Sequence, residues 1–109
     1  MPSPRLTSPR LTTSVLKVLA ALLADPAAEH YGLQLMQQTG LPSGTLYPIL
    51  VRLERAGWVQ SRWEQVDPAA EGRPTRRYYR LTAEGAAEAG AEVARMHDQM
   101  ARAIRPRPA

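Results

Sequence analysis

The side chains best equipped for chemistry in this sequence are arginines. Arg73, Arg76, Arg77 and Arg80 fall within residues 72–81, a stretch with no Asp or Glu. A guanidinium keeps its charge at any physiological pH and offers a planar fork of donors that matches phosphate oxygens or the edge of guanine. Such a cluster binds polyanions through charge and hydrogen bonds and does no covalent chemistry. A second constellation is Ser43, Thr45 and Tyr47, with Arg52 and Arg55 further along. Hydroxyls at the start of a helix either cap it or donate to a phosphate, and the free N–H groups there favour an anion as well. Tyr47 can pack its ring inward and turn its hydroxyl to a phosphate, and Arg52 lies where it can reach another.

Catalytic chemistry finds no comparable support. The only imidazoles are His30 and His97, far apart in the chain, and there is no cysteine. His30 precedes Tyr31-Gly32 in what reads as a connection, so a surface histidine is expected. No Gly-rich phosphate loop, nucleophile elbow or metal-ligand spacing is present. The expectation is no catalytic residue, no metal and no cofactor.

The totals agree. A chain of 109 residues has room for one core. Lys and Arg number 14 against 10 Asp and Glu, Lys17 being the only lysine, and the sequence pI is about 10.1. No apolar run is long enough to span a bilayer and no secretory signal is visible, so no membrane partner and a cytoplasmic location are expected.

Several elements must position these groups. Residues 1–12 repeat Ser-Pro-Arg-Leu-Thr and read as a flexible basic arm carrying Arg5 and Arg10. Thr12, Thr13 or Ser14 can cap a first helix with Val15, Leu16, Leu19, Leu22 and Leu23 at helical spacing, ending at Asp25-Pro26. A short second helix spans 31–39, closed by Gly40. After the tight Leu41–Gly44 connection a third helix runs to about Ala56. Its apolar side is Leu46, Ile49, Leu50 and Leu53, and Gly44, Pro48, Val51, Arg52 and Arg55 lie opposite. Pro48 means that the regular helix either starts near Thr45 or bends.

Residues 58–66 and 75–81 alternate like strands around a Pro/Gly/Ala-rich loop at 67–74, in which Arg73 is free to reach outward. Alternation puts Arg77, Tyr79 and Leu81 on one face and Arg76, Tyr78 and Arg80 on the other. Thr82 caps a last helix. The fold class is therefore mainly α with a small β-hairpin: a winged helix-turn-helix of three helices, a two-stranded wing and a C-terminal dimerisation helix. The divisions are the arm (1–12), the winged helix-turn-helix domain (13–82), the C-terminal helix (83–105) and a tail (106–109). Val93, Met96, His97, Met100 and Ile104 form a stripe on the C-terminal helix suited to a second copy of the chain, or equally to packing on the first helix as core.

Tyr31-Gly32, the run Ser43-Gly-Thr-Leu-Tyr-Pro-Ile-Leu-Val-Arg-Leu-Glu54 with Gly57-Trp58, and Gly72-Arg-Pro-Thr-Arg-Arg-Tyr-Tyr-Arg-Leu-Thr82 with Gly85 resemble the PadR family of winged-helix transcriptional regulators. The resemblance covers roughly residues 13–90. It implies a homodimeric repressor of a pseudo-palindromic operator in double-stranded DNA. Ser43, Thr45 and Tyr47 would enter the major groove, while Arg73, Arg76 and Arg77 of the wing would lie on adjacent backbone or minor groove. Two alternatives stand beside it. One is a winged helix used for protein–protein contact. The other is a sensor gated by a small hydrophobic effector, with Trp58, Trp63, Met96 and Met100 as lining, although the C-terminal helix lacks the tryptophan with which some relatives hold flat aromatic drugs.

Overall fold

The computed structural model describes residues 9–104. Arg5, Arg105 and the 106–109 tail therefore lie outside the described residues.

Helix α1 (Thr13–Leu23) begins where the Thr12 hydroxyl accepts from the Val15 N–H at 3.2 Å and buries Val15, Val18, Leu19 and Leu22. Strand β1 (His30–Tyr31) leads directly into α2 (Gly32–Thr39), which Gly40 closes at φ +73°. Only glycine adopts that left-handed conformation without a Cβ penalty. Helix α3 (Ser43–Arg55) buries Leu46, Ile49, Leu50 and Leu53 against α1 and α2. The opposite face, Gly44, Pro48, Val51, Arg52 and Arg55, is exposed as the wheel requires. Helix α3 runs unbroken through Pro48. The missing Pro48 N–H deprives only the carbonyl of Gly44, an exposed residue that water can serve.

Strand β2 (Val59–Trp63), the single-turn helix α4 (Pro68–Glu71) and strand β3 (Arg77–Leu81) follow, and α5 (Ala83–Ala103) closes the order. Strands β2 and β3 pair antiparallel from Val59–Leu81 to Trp63–Arg77. The alternation of β3 holds, since Tyr79 and Leu81 are buried and Arg80 is exposed.

Three expectations change. The sheet has three strands in the order β1-β3-β2, because His30 and Tyr31 pair with Tyr79 and Tyr78. His30 is consequently not on the surface: it is 4% exposed, its Nε2 lies 3.4 Å from the Asp25 carbonyl, and its Nδ1 has no partner. Finally, the loop between the strands contains the α4 turn, capped by the Asp67 carboxylate accepting from the Ala69 N–H at 3.0 Å.

Helix α5 is anchored by its first turn. The Thr82 hydroxyl accepts from the Gly85 N–H at 2.9 Å and donates to the Gly57 carbonyl at 2.7 Å, and the Thr82 N–H donates to the Trp58 carbonyl at 2.9 Å. The fit is so close that a Cβ on Gly85 would overlap the Trp58 backbone, whereas one on Gly90 would meet open space.

Candidate nucleic-acid interface

Helix α3 starts after Pro42, with no side chain capping its N-terminus. Its first intrahelical donors are Thr45 and Leu46, both bonded to the Pro42 carbonyl at 3.0 Å, so the earlier N–H groups of Ser43 and Gly44 have no helical acceptor. These donors, the exposed Ser43 hydroxyl and the half-buried Thr45 converge on one helix end. An oxyanion is attracted there by both the N–H groups and the helix dipole. Tyr47 lies one turn on, its ring laid over Gly32, where a Cβ would overlap the Tyr47 ring and hydroxyl. The bare backbone at the start of α2 is what lets this tyrosine sit at the surface. Arg52 is exposed, its Nε 3.4 Å from the Pro48 carbonyl.

The wing arginines occupy three environments. Arg73 is not free. Its two terminal nitrogens donate to the two oxygens of Glu64 at 2.7 and 3.1 Å, leaving the arginine side chain 28% exposed and the carboxylate 10%. Glu64 also accepts from the Arg76 N–H at 3.3 Å and from the Tyr78 hydroxyl at 3.1 Å. The Arg73 fork, followed by those two donors, draws the Glu64 pKa from 4.5 down to about 2 against the opposing effect of burial. Arg77 donates to the Ser61 hydroxyl at 2.8 Å and lies 3.7 Å from Glu54, which ties the wing to the end of α3. Arg76 stacks its guanidinium 4.3 Å above the Tyr31 ring. In this cation–π arrangement its guanidinium forms no salt bridge within 4 Å to a carboxylate of the described residues.

On the same sheet face as Arg76 and Tyr78, Arg62 forks onto Glu29, with one bond of 2.8 Å, and lies 5.2 Å over the Tyr78 ring, which meets Tyr31 edge-on. The Arg62 bond pulls the Glu29 carboxyl below its ordinary range. Neither Glu64 nor Glu29 stands out in the sequence. The hairpin register, once known, would have placed Glu64 beside Arg76.

Together the Ser43 end of α3, Tyr47 and the wing form a surface with donors and cations suited to phosphate and base edges. The family model for the PadR-like transcriptional regulators matches residues 18–91. The chain belongs to that family. Its members are DNA-binding transcription regulators, not enzymes. Among solved structures, a PadR family transcriptional regulator from Eggerthella lenta is 26% identical, with a TM-score of 0.63 over 83% of this chain and 82% of that one. A PadR-like transcription factor from Bacteroides fragilis shares the fold at 24% identity and TM-score 0.63, covering 84% and 88%. NadR in complex with 4-hydroxyphenylacetate is 26% identical at TM-score 0.61, covering 87% of this chain and 64% of that one. No curated protein sequence matches closely enough to be called a relative.

This PadR-like chain does not gather the four residues considered as an effector lining. Trp58 is in the core, Trp63 is on the wing, and Met96 and Met100 line a groove of about 480 Å³ between α1 and α5 with Leu11, Leu16 and Val93. Of the C-terminal stripe, Val93 packs partly on the core, while Met96, His97, Met100 and Ile104 are exposed. No helix among the described residues is long and apolar enough to cross a membrane.

Proposed function

We propose that this PadR-like regulator represses transcription by binding a pseudo-palindromic operator in double-stranded DNA as a homodimer. The observation that carries the reading is the uncapped N-terminus of α3, carrying Ser43, Thr45 and Tyr47 beside the Arg76 wing. Ser43, Thr45 and Tyr47 contact the major groove edge, and Arg52 reaches a phosphate further along. Arg76 supplies the wing contact. Arg73 and Arg77 add their charge to the same surface, but each has an internal partner that holds the wing in shape. The winged helix-turn-helix domain is assigned to residues 13–82, and the C-terminal helix to dimerisation.

The second copy packs on the apolar end of α5. Val93, Met96, His97, Met100 and Ile104 are its contact residues, joined by the α1 wall of the groove. A pair of half-sites then multiplies the modest affinity of one domain. A small hydrophobic effector has the same α1–α5 groove available, where its entry would compete with the partner helix.

The test is fluorescence-anisotropy binding to the DNA upstream of this chain's own coding region against a scrambled duplex, across salt concentrations, with sedimentation to give the oligomeric state. Preference for the upstream duplex at salt where backbone binding has faded, by a protein that sediments as a dimer, is the expected result. Equal and steeply salt-dependent binding to both duplexes would refute specificity, and a monomer at micromolar concentration would refute the assembly.

A further inference from the structure

Between α3 and the wing runs an open groove of about 680 Å³ that reaches the N-terminus of α2. Two of its lining side chains are large, apolar and exposed: Leu33 at 53% and Trp63 at 57%. Neither is needed by the core, which is closed by other residues. Trp63 is held in place by the Arg77 guanidinium 5.2 Å from its ring, and Arg77 is itself fixed to Ser61 and Glu54. Arg76 and Arg77 contribute to the groove, and no Asp or Glu is among the residues that line it. The site is thus cationic and apolar at once, an unusual pairing for a surface that meets only phosphates.

Resting on the proposed DNA-binding reading, we propose that this groove seats one sugar–phosphate strand of the operator, with Leu33 and Trp63 packing against its deoxyribose rings. The geometry of the duplex supplies the reason. A major groove and its neighbouring minor groove are separated by a single sugar–phosphate strand, so a protein with a helix in one and a hairpin over the other straddles that strand. Tyr47 of α3 and Trp63 of the wing both border the groove between those two elements. A strand lying there presents phosphate oxygens to Arg76 and Arg77 and carbon-rich sugar faces to Leu33 and Trp63. The charge of the lining and its continuity with the α3 surface both fit this occupant. Leu33 and Trp63 become non-ionic DNA contacts that stabilise the complex without releasing counterions.

That distinction sets the experiment. Binding of the upstream duplex is measured across salt for the wild type, Trp63→Ala, Trp63→Phe and Arg76→Gln, with thermal melts to confirm folding. Trp63→Ala is expected to weaken binding by about tenfold, from the apolar area uncovered, with the slope of log affinity against log salt unchanged. Trp63→Phe restores most of the affinity. Arg76→Gln instead lowers the slope by about one. In the wild type, emission from Trp63, isolated by subtracting the Trp63→Phe protein that retains Trp58, shifts on addition of the duplex.

Unchanged Trp63 emission at saturating duplex overturns the proposal whatever the variants do. So does wild-type affinity in Trp63→Ala, and so does a changed sedimentation coefficient with intact DNA affinity, which would mark the patch as a protein contact. Loss of sequence preference by the wild type itself would sink the underlying reading as well. Normal wild-type binding with an indifferent Trp63→Ala sinks the strand-seating proposal alone.

Discussion

Two glycines of α5 give a sharp test of how this fold is assembled, because the same substitution is expected to act with opposite sign at each. In a helix, Ala is favoured over Gly by about 1 kcal/mol, so Gly90→Ala, whose methyl meets no atom within 4 Å, gains about that amount. For a domain of this size the gain corresponds to a midpoint about 4–8 °C higher. Gly85→Ala has the same propensity gain, but its methyl would overlap the Trp58 backbone. A flexible side chain could swing aside, whereas a backbone cannot without moving the Gly57–Val59 turn or lifting α5. Overpacking of that kind costs roughly 1–3 kcal/mol. Moving α5 also weakens the Thr82 cap at Gly85, worth about 1 kcal/mol. The net expectation is a loss of about 2 kcal/mol and a midpoint lowered by roughly 8–16 °C. Urea and thermal melts at one fixed protein concentration, so that any dimer contributes equally, provide the measurement. A Gly85→Ala protein as stable as the wild type would refute the close seating of α5 on Trp58. A destabilised Gly90→Ala would show that open space at Gly90 is filled in solution.

Other predictions concern the charges and the buried histidine. Glu64 is ionised in the folded wing down to about pH 2 but has an ordinary pKa of 4.5 when unpaired, so its contribution is complete above pH 4.5 and disappears as pH falls towards 2. The stability difference between wild type and Glu64→Gln, followed by melts across pH, is therefore expected to be flat near neutrality and to shrink over that window; a constant difference down to pH 2 would contradict it. Arg73→Gln is expected to loosen the wing, detected as faster exchange of the Arg76 amide that donates to Glu64, while changing the salt slope of DNA binding less than Arg76→Gln does. Since the His30 Nδ1 lacks a partner and its Nε2 makes only one long contact, 3.4 Å to the Asp25 carbonyl, His30→Leu is expected to stay within about 1 kcal/mol of wild type in urea, and a loss well beyond that would contradict this weak pairing.

What was legible in the sequence follows from what periodicity can carry. The buried and exposed faces of α3 emerge residue for residue, because a helix with Leu46, Ile49, Leu50 and Leu53 on one side has a single way to face a core. The alternation of β3 fixed Tyr79 and Leu81 inward for the same reason. Strand β1 was invisible, since two residues have no period, and missing it put His30 on the surface when its pairing with Tyr79 buries it. The basic character of the wing is legible in composition, while the pairing of its charges is not. Charge counting along 72–81 cannot see Glu64, which lies outside that stretch and meets Arg73 only when the hairpin closes. The two tryptophans illustrate the same limit, for they are alike in sequence and opposite in environment: Trp58 lies beneath α5, and Trp63 is out on the wing.

Tyr31 is the last residue of β1 and the residue immediately before α2, with its N–H bonded to Gln34 of that helix at 3.3 Å and its ring under Arg76. The hairpin is thereby mortised into the helical body at a corner with no slack in the chain. Any engineered exchange of wings between relatives must treat residues 30–31 as part of the wing, although they lie far from 59–81 in sequence. A chimera that moves the hairpin alone would separate Arg76 and Tyr78 from the tyrosine they lean on, and its wing would sit at the wrong angle to α3.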